Sequence, residues 1–341
     1  MKRWRETAAI FERVALLAEA GERAAIATVV RISGSAYRRP GAKFLVESGG
    51  RTTGGVSGGC LEADVREVAL GLLREGGPRL LHYDTGSDDD TVWGLGLGCE
   101  GAVDIFVQPV GAEFARGPGA RALALLGAST PFGGAEPFAI STVVKGPDAG
   151  TVELSQGPLP EGSRFEERGA NTVFVEVLRP PPVLLVFGAG DDARPLAALA
   201  AEAGFDVTLV DHRRGYLTQE RFPTPARLVL RRSEEGIGEK LGRHHFAVVQ
   251  THSLQRDREW LRALLPQPLA YLGLLGPRAR KEELLKQLGA GGTDKLFAPV
   301  GLDLDAEGPE QVAVSVVAEM LAVRAGREPA HLRDRRGGIH E

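Results

Sequence analysis

V-L-L-V-F-G-A-G-D-D-A-R-P-L-A-A-L-A, residues 183–200, decides the fold. A short apolar run enters G-A-G and continues with apolar residues at helical spacing. Strand, glycine turn and helix in that order open a parallel nucleotide-binding sheet. The stretch fits G-x-G-x-x-A with Gly188, Gly190 and Ala193. Gly188 permits the turn, and Gly190 lets backbone approach a pyrophosphate at the helix N-terminus. Asp211 ends the next strand about 20 residues on, where an acid binds a ribose hydroxyl pair. Further apolar runs follow at 206–211, 226–230, 246–252 and 270–276, with helical segments between most of them. That alternation predicts a doubly wound parallel sheet with helices on both faces. A last helix is predicted over 309–324, with Pro309 in its first turn.

The ligand of this nucleotide fold is left open by the residues. Asp191 and Asp192 stand where a phosphate would lie and would repel it; they cap the helix or hold a metal. H-R-R (212–214) meets a phosphate or faces water. Thr251 and His252 close the fourth strand on the ligand-binding edge, with a structural hydrogen bond as the alternative role for His252. Arg278, in G-P-R-A-R-K (276–281), marks a second candidate anion site or a solvated basic face. Asp211 permits NAD, but no Y-x-x-x-K helix and no His–Asp pair of a hydroxy-acid dehydrogenase is present, and the fold alone does not define a reaction.

Upstream of R-P-P-P (179–182), a stiff boundary, the pattern differs. A helix over 4–20 precedes a hairpin over 24–47, a helix over 61–75, a strand at 80–85 and a strand ending at 109. Strands at 138–146 and 171–178 follow, with loose turns through 147–170. The prediction is an N-terminal mixed α/β domain over 1–180, a Rossmann-like domain over 181–330 and a polar tail over 331–341.

Both cysteines of the chain, Cys60 and Cys99, lie in glycine loops, G-G-V-S-G-G-C-L-E (54–62) and G-L-G-C-E-G (96–101). Gly54, Gly55, Gly58 and Gly59 with Ser57 supply unhindered N–H groups able to cradle an anion. Cys60 opens a predicted helix, where the dipole favours thiolate; Glu62 falls in its first turn. Close packing of a small side chain is the other role open to each thiol. Arg38 and Arg39, beside Ser35 and Tyr37 in the hairpin tip, suit a phosphate or oxyanion. Asp88, Asp89 and Asp90 precede Trp93 as a solvated turn or a metal contact.

Composition removes several classes. The 341 residues carry a net charge of −4, against a broad nucleic-acid surface. No apolar run is long enough to span a membrane. The start, M-K-R-W-R-E-T, lacks the apolar core of a secretory leader. Two cysteines are too few for a disulfide framework, so a cytoplasmic location is expected.

The segments G-S-A-Y-R-R-P-G-A-K-F-L-V (34–46), 54–62 and W-G-L-G-L-G-C-E-G (93–101) resemble hallmark segments of the XdhC/CoxI family, accessory proteins of xanthine dehydrogenase and carbon monoxide dehydrogenase. G-A-G-D-D-A-R-P-L (188–196), V-D-H-R (210–213), Y-L-G-L-L-G-P-R (271–278) and P-V-G-L-D-L (299–304) are similar to its Rossmann-like domain. The resemblance implies a maturation factor that binds molybdenum cofactor in its molybdopterin form, supports its sulfuration and delivers it to an apo-molybdoenzyme. A sulfurtransferase partner and a homodimer are further implications. It places cofactor handling near Cys60, its glycines, Gly98 and Cys99. In the family the last motif is the shorter W-G-L-G-C-G-G; here Gly96 and Leu97 are added and Glu100 replaces a glycine, a carboxylate expected to disfavour a Cys99 thiolate and to weaken anion binding there. Nucleotide binding at the Rossmann-like domain, by NAD(P) or by the dinucleotide form of the cofactor, is the remaining expectation, and an NAD(P)-dependent oxidoreductase is the alternative function.

Overall fold

A computed structural model of the chain describes residues 2–34, 37–84, 101–128, 132–223, 226–289 and 295–334. The chain forms two compact units, Met1–Ala128 with Ala135–Pro180, and Ser129–Gly134 with Pro181–Glu341.

In the first unit, α1 (Lys2–Glu19) buries Ile10, Phe11, Val14 and Leu17 along one face, as the helical spacing requires. Next come β1 (Ala24–Gly34), β2 (Lys43–Glu47), β3 (Thr52–Gly54), α2 (Glu62–Glu75), β4 (Arg79–Asp84) and β5 (Gly101–Val110). These strands form a sheet in the order β3-β2-β1-β5-β4. Central β1 is covered on both faces, which is why it reads as an unbroken apolar run. Ala25, Ala27 and Val29 share a core with α2, while Ala24 and Ile26 share one with α1. Short helices α3 (Ala112–Phe114) and α4 (Ala120–Gly127) lead to β6 (Phe138–Lys145), β7 (Val152–Ser155), β8 (Arg164–Arg168) and β9 (Asn171–Leu178). This second sheet is antiparallel in the order β7-β6-β9-β8.

The loose turns expected through 147–170 are therefore a correction: they hold β7 and β8, the two edges of this sheet. Edge strands carry charge on their open side, which dilutes the apolar signal. In β8 both Arg164 and Arg168 pair with Glu166, at 2.8 and 2.7 Å.

One ion pair is buried inside this unit. Lys43 Nζ lies 2.5 Å from Glu176 Oε2, and the two side chains are only 4% and 3% exposed. Lys43 also donates to the Gly41 carbonyl at 3.1 Å. Next to the pair is a cavity of about 20 Å³, lined by Phe11, Phe106, Phe174, Gln108 and Thr142 among others. That volume takes roughly one water and excludes anything of cofactor size.

In the second unit, β10 (Val183–Phe187), α5 (Ala193–Glu202), β11 (Asp206–Asp211), β12 (Ala226–Leu230), β13 (His245–Val249), α6 (Leu254–Leu264), β14 (Tyr271–Leu274), α7 (Arg278–Leu288), β15 (Leu296–Phe297) and α8 (Gly308–Ala325) follow in turn. All six strands are parallel, in the order β12-β11-β10-β13-β14-β15. The chain reverses its direction of winding after β12, so β10 and β13 flank the switch point where ligands bind in such sheets. Leu184 and Val186 pack in the core that α5 and α8 cover; Leu185 and Phe187 pack in the opposite core with Trp260 and Leu261 of α6 and Leu284 of α7. Phe132, 1% exposed, is part of that second core. The second unit thus draws a short segment from upstream of β6 into its core.

Removing one partner of a buried ion pair leaves an uncompensated charge. Lys43→Met is expected to cost about 3–5 kcal/mol, and the double change Lys43→Met/Glu176→Leu to recover most of it. Denaturant unfolding of the three proteins checks this; equal loss in single and double variants would assign the cost to packing instead.

Candidate functional site

Three connections leave one end of the five-stranded sheet in the first unit. The pairings Thr28 with Lys43, Phe44 with Gly54, Gly34 with Gly101 and Asp84 with Ala102 place the β1–β2 tip, the β3–α2 loop and both flanks of the β4–β5 connection there. Residues 85–100, with Gly98, Cys99, the Asp88–Asp90 acids and Trp93, lie outside the described residues, as does Ser35.

The β3–α2 loop is built around a carboxylate from the chain itself. Glu62 accepts from the backbone N–H of Val56 at 3.0 Å and Ser57 at 2.8 Å, and from the Ser57 hydroxyl. The Ser57 Oγ in turn accepts from the N–H of Gly59 and of Leu61, both at 3.1 Å. Gly55 donates to the Lys43 carbonyl at 2.9 Å. Burial pushes the Glu62 carboxyl up, but the Ser57 hydroxyl and the N–H groups of Ser57, Glu62 and Val56 outweigh it and hold it below its ordinary value. Gly54 stands at φ +86 against the Lys43 carbonyl, into which a Cβ would run.

The N–H groups of Gly58 and Cys60 have no acceptor among the described residues. Gly58 and Gly59 are exposed, and Cys60 is half-buried, packed against the core beneath α2. The two tip arginines part company. Arg38 is 12% exposed and tied to Glu6 and to the Gly55 carbonyl at 3.0 Å. Arg39 is exposed and has no carboxylate partner among the described residues. Tyr37 is exposed, with its ring 3.6 Å from where a Gly58 Cβ would stand. Cys60, Tyr37 and Arg39 thus share one sheet end, while Arg38 and Glu62 serve to hold the loops.

The glycine turn of the second unit is held in the same manner. Asp211, at the end of β11, accepts from the Ala189 N–H at 2.8 Å and the Arg213 N–H at 2.8 Å. The Arg213 guanidinium binds the same carboxylate at 3.0 and 2.9 Å. Burial opposes ionisation of Asp211, but the Arg213 side chain and these N–H groups keep its carboxyl low. Asp192 occupies the helix-cap position, yet its carboxylate pairs with His252 Nε2 at 2.8 Å and caps no N–H. Asp191 pairs with Arg221 at 2.9 Å. His252 has φ 57, a left-handed conformation rare for a side-chain-bearing residue. Its neighbour Thr251 is clamped by fully buried Asp257, which accepts from Thr251 Oγ1 at 2.5 Å and from Arg280 at 2.6 Å. Arg278 is exposed at the start of α7. Arg213, Tyr216, Arg221, Arg256 and Asp257 escaped the sequence reading; only the H-R-R run pointed at any of them.

Among the described residues no group of three or more metal-ligating side chains converges, and no helix is long and apolar enough to cross a membrane. The fold and the site define a two-unit α/β protein, one unit of Rossmann type and the other bearing a thiol in a glycine loop. The family model described as the XdhC Rossmann domain matches residues 184–320, and that of the XdhC and CoxI family matches 17–84. A Bacillus subtilis protein, named as a probable subunit of xanthine dehydrogenase, is 35% identical over 90% of this chain and 95% of its own length. The chain belongs to the XdhC/CoxI family. The Escherichia coli molybdenum cofactor insertion chaperone PaoD is 28% identical over 90% of this chain and 86% of its own. A Bacillus halodurans protein of known crystal structure, named a xanthine dehydrogenase, superposes with a TM-score of 0.74 at 27% identity, covering 94% of this chain and 97% of its own.

Two outcomes test the loop assignments. Glu62→Gln is expected to destabilise by about 2 kcal/mol at pH 7, since an amide cannot accept from every donor. A carboxyl lowered on folding stabilises above its unfolded pKa of about 4.3, and that contribution is lost as pH falls through the folded value. The melting-temperature gap between wild type and variant should therefore close on acidification below about pH 4. Gly188→Ala, with φ +110 and a Cβ 2.5 Å from the Gln250 carbonyl oxygen, should lose about 2–4 kcal/mol. Gly190→Ala, with no atom within 4 Å of its Cβ, should melt close to wild type.

Proposed function

We propose that this protein binds molybdenum cofactor at the sheet end that carries Cys60 and delivers it to an apo-molybdoenzyme of the xanthine dehydrogenase type. It supports sulfuration of the cofactor while holding it, with a sulfurtransferase as sulfur source. Family membership and the likeness to an insertion chaperone support the reading. The observation that carries it is the half-buried thiol of Cys60 beside the Gly58 and Cys60 N–H groups, which have no acceptor among the described residues, in a loop whose other N–H groups are all taken.

The residues fit the cargo in kind. Molybdopterin presents a phosphate, two sulfurs, an oxo-metal and a flat ring system. Arg39, exposed and without a carboxylate partner among the described residues, offers its guanidinium to the phosphate. The spare N–H groups suit an oxyanion. The Tyr37 ring offers a face for stacking, and Cys60 Sγ a soft ligand for the metal. Glu62 takes the Val56 and Ser57 donors and Ser57 Oγ those of Gly59 and Leu61, which orders the loop around Cys60 and leaves the Gly58 and Cys60 N–H groups for the cargo.

The test is cofactor retention by the purified full chain at fixed thiol redox state. Wild type should retain molybdenum cofactor and reconstitute an apo-molybdoenzyme; Cys60→Ala should lose at least about tenfold in retention with an unchanged melting temperature. Equal retention would return Cys60 to packing. Turnover with NAD(P) in the absence of cofactor binding would replace the proposal with an oxidoreductase.

A further inference from the structure

Rossmann-type sites hold the ribose diol on the acid that ends the second strand. Asp211 is that acid by position, yet its carboxylate is already spent. Oδ1 takes the Arg213 N–H and Nε at 2.8 and 3.0 Å and lies 3.2 Å from His212 Nδ1. Oδ2 takes the Ala189 N–H and Arg213 Nη2 at 2.8 and 2.9 Å. A carboxylate has about four lone-pair positions, so this one has none left for two hydroxyls.

The groups around it are cationic. The Arg213 guanidinium lies 3.7 Å from the centre of the Tyr216 ring, and Arg221 lies 4.7 Å from the same centre. Arg221 reaches on to Asp191 and to the Ala189 carbonyl, across the glycine turn. On the β13 side, Arg256 in the first turn of α6 places Nη1 3.4 Å from His212 Nε2. Arg256 makes no ion pair among the described residues, and its Nε is buried without a partner. Burial and the charges of Arg256, Arg213 and Arg232 outweigh Asp211 and lower the His212 pKa. An imidazole carries no negative charge in either protonation state, so His212 is no counter-anion for Arg256. The crevice thus ends in a guanidinium that lacks a counter-anion among the described residues, beside a carboxylate closed to ribose. Next to it, the Gly190 position at the α5 N-terminus opens onto free space.

We propose that the crevice at the carboxyl ends of β10, β11 and β13 takes a nucleotide whose ribose carries a phosphate, with that phosphate on His212, Arg213 and Arg256. An arginine near the second strand is how such folds accept a ribose 2′-phosphate; a bidentate guanidinium–phosphate contact supplies the preference. The assignment stands apart from cofactor delivery. Cofactor retention in the Cys60→Ala experiment reports on one unit, and nucleotide choice on the other.

The experiment is calorimetric titration of the full chain with 2′,5′-ADP, 5′-ADP and inorganic phosphate at fixed salt. Wild type should bind 2′,5′-ADP at least about tenfold tighter than 5′-ADP, and inorganic phosphate far more weakly than either. Arg256→Gln should erase the preference, weakening 2′,5′-ADP at least about tenfold more than 5′-ADP. Arg213→Ala, which uncovers Asp211, should invert it. Equal or tighter binding of 5′-ADP by wild type, or binding of neither nucleotide, overturns the proposal. Inorganic phosphate as tight as 2′,5′-ADP also overturns it, leaving a bare anion site. A preference that survives Arg256→Gln removes Arg256 from the site.

Discussion

A carboxylate taken out of water must be met by donors, and that demand shapes both glycine loops of this protein. In the first unit the acid is Glu62, which draws in the N–H groups of Val56 and Ser57. In the second it is Asp211, which draws in Ala189 and Arg213. Each loop is ordered by a charge from its own chain before any ligand arrives. What is left over among the described residues is two N–H groups and a thiol in one unit, and a guanidinium without a counter-anion in the other. The same economy gives glycine-rich backbone its hydrogen-bond partners at both places.

Much of the architecture was legible from residue pattern. The run V-L-L-V-F-G-A-G and its successors mark a parallel sheet because strands covered on both faces have no polar alternation. The edge strands β7 and β8 were not legible. Their exposed side chains are charged or polar, and neither carries an apolar run long enough to mark a strand. Long-range pairs leave no local trace: Lys43 and Glu176 are 133 positions apart, and neither neighbourhood signals the other.

The candidate site was legible in its parts and not in their roles. Arg38 and Arg39 are adjacent and chemically identical, and only the folded chain separates an anchor from a cation with no carboxylate partner among the described residues. Glu62 reads as a first-turn acid that complements a helix dipole; its hold on the preceding loop depends on that loop folding back. Asp211 sits where a ribose ligand belongs, and Arg213 two residues later is in plain view, but the direction in which its guanidinium turns is a property of the loop through Tyr216.

Phe132 has a consequence for dissecting the chain. It precedes β6 in order, yet it fills the second unit's core alongside Val183, Leu185 and Phe187. A fragment that starts at Pro181 would be deprived of this plug and begin life with an aromatic-sized void, a defect worth about 3–5 kcal/mol. The nucleotide fold is complete only when the chain has supplied a residue from well upstream of its first strand, so the gene segment that encodes the unit and the unit itself have different beginnings.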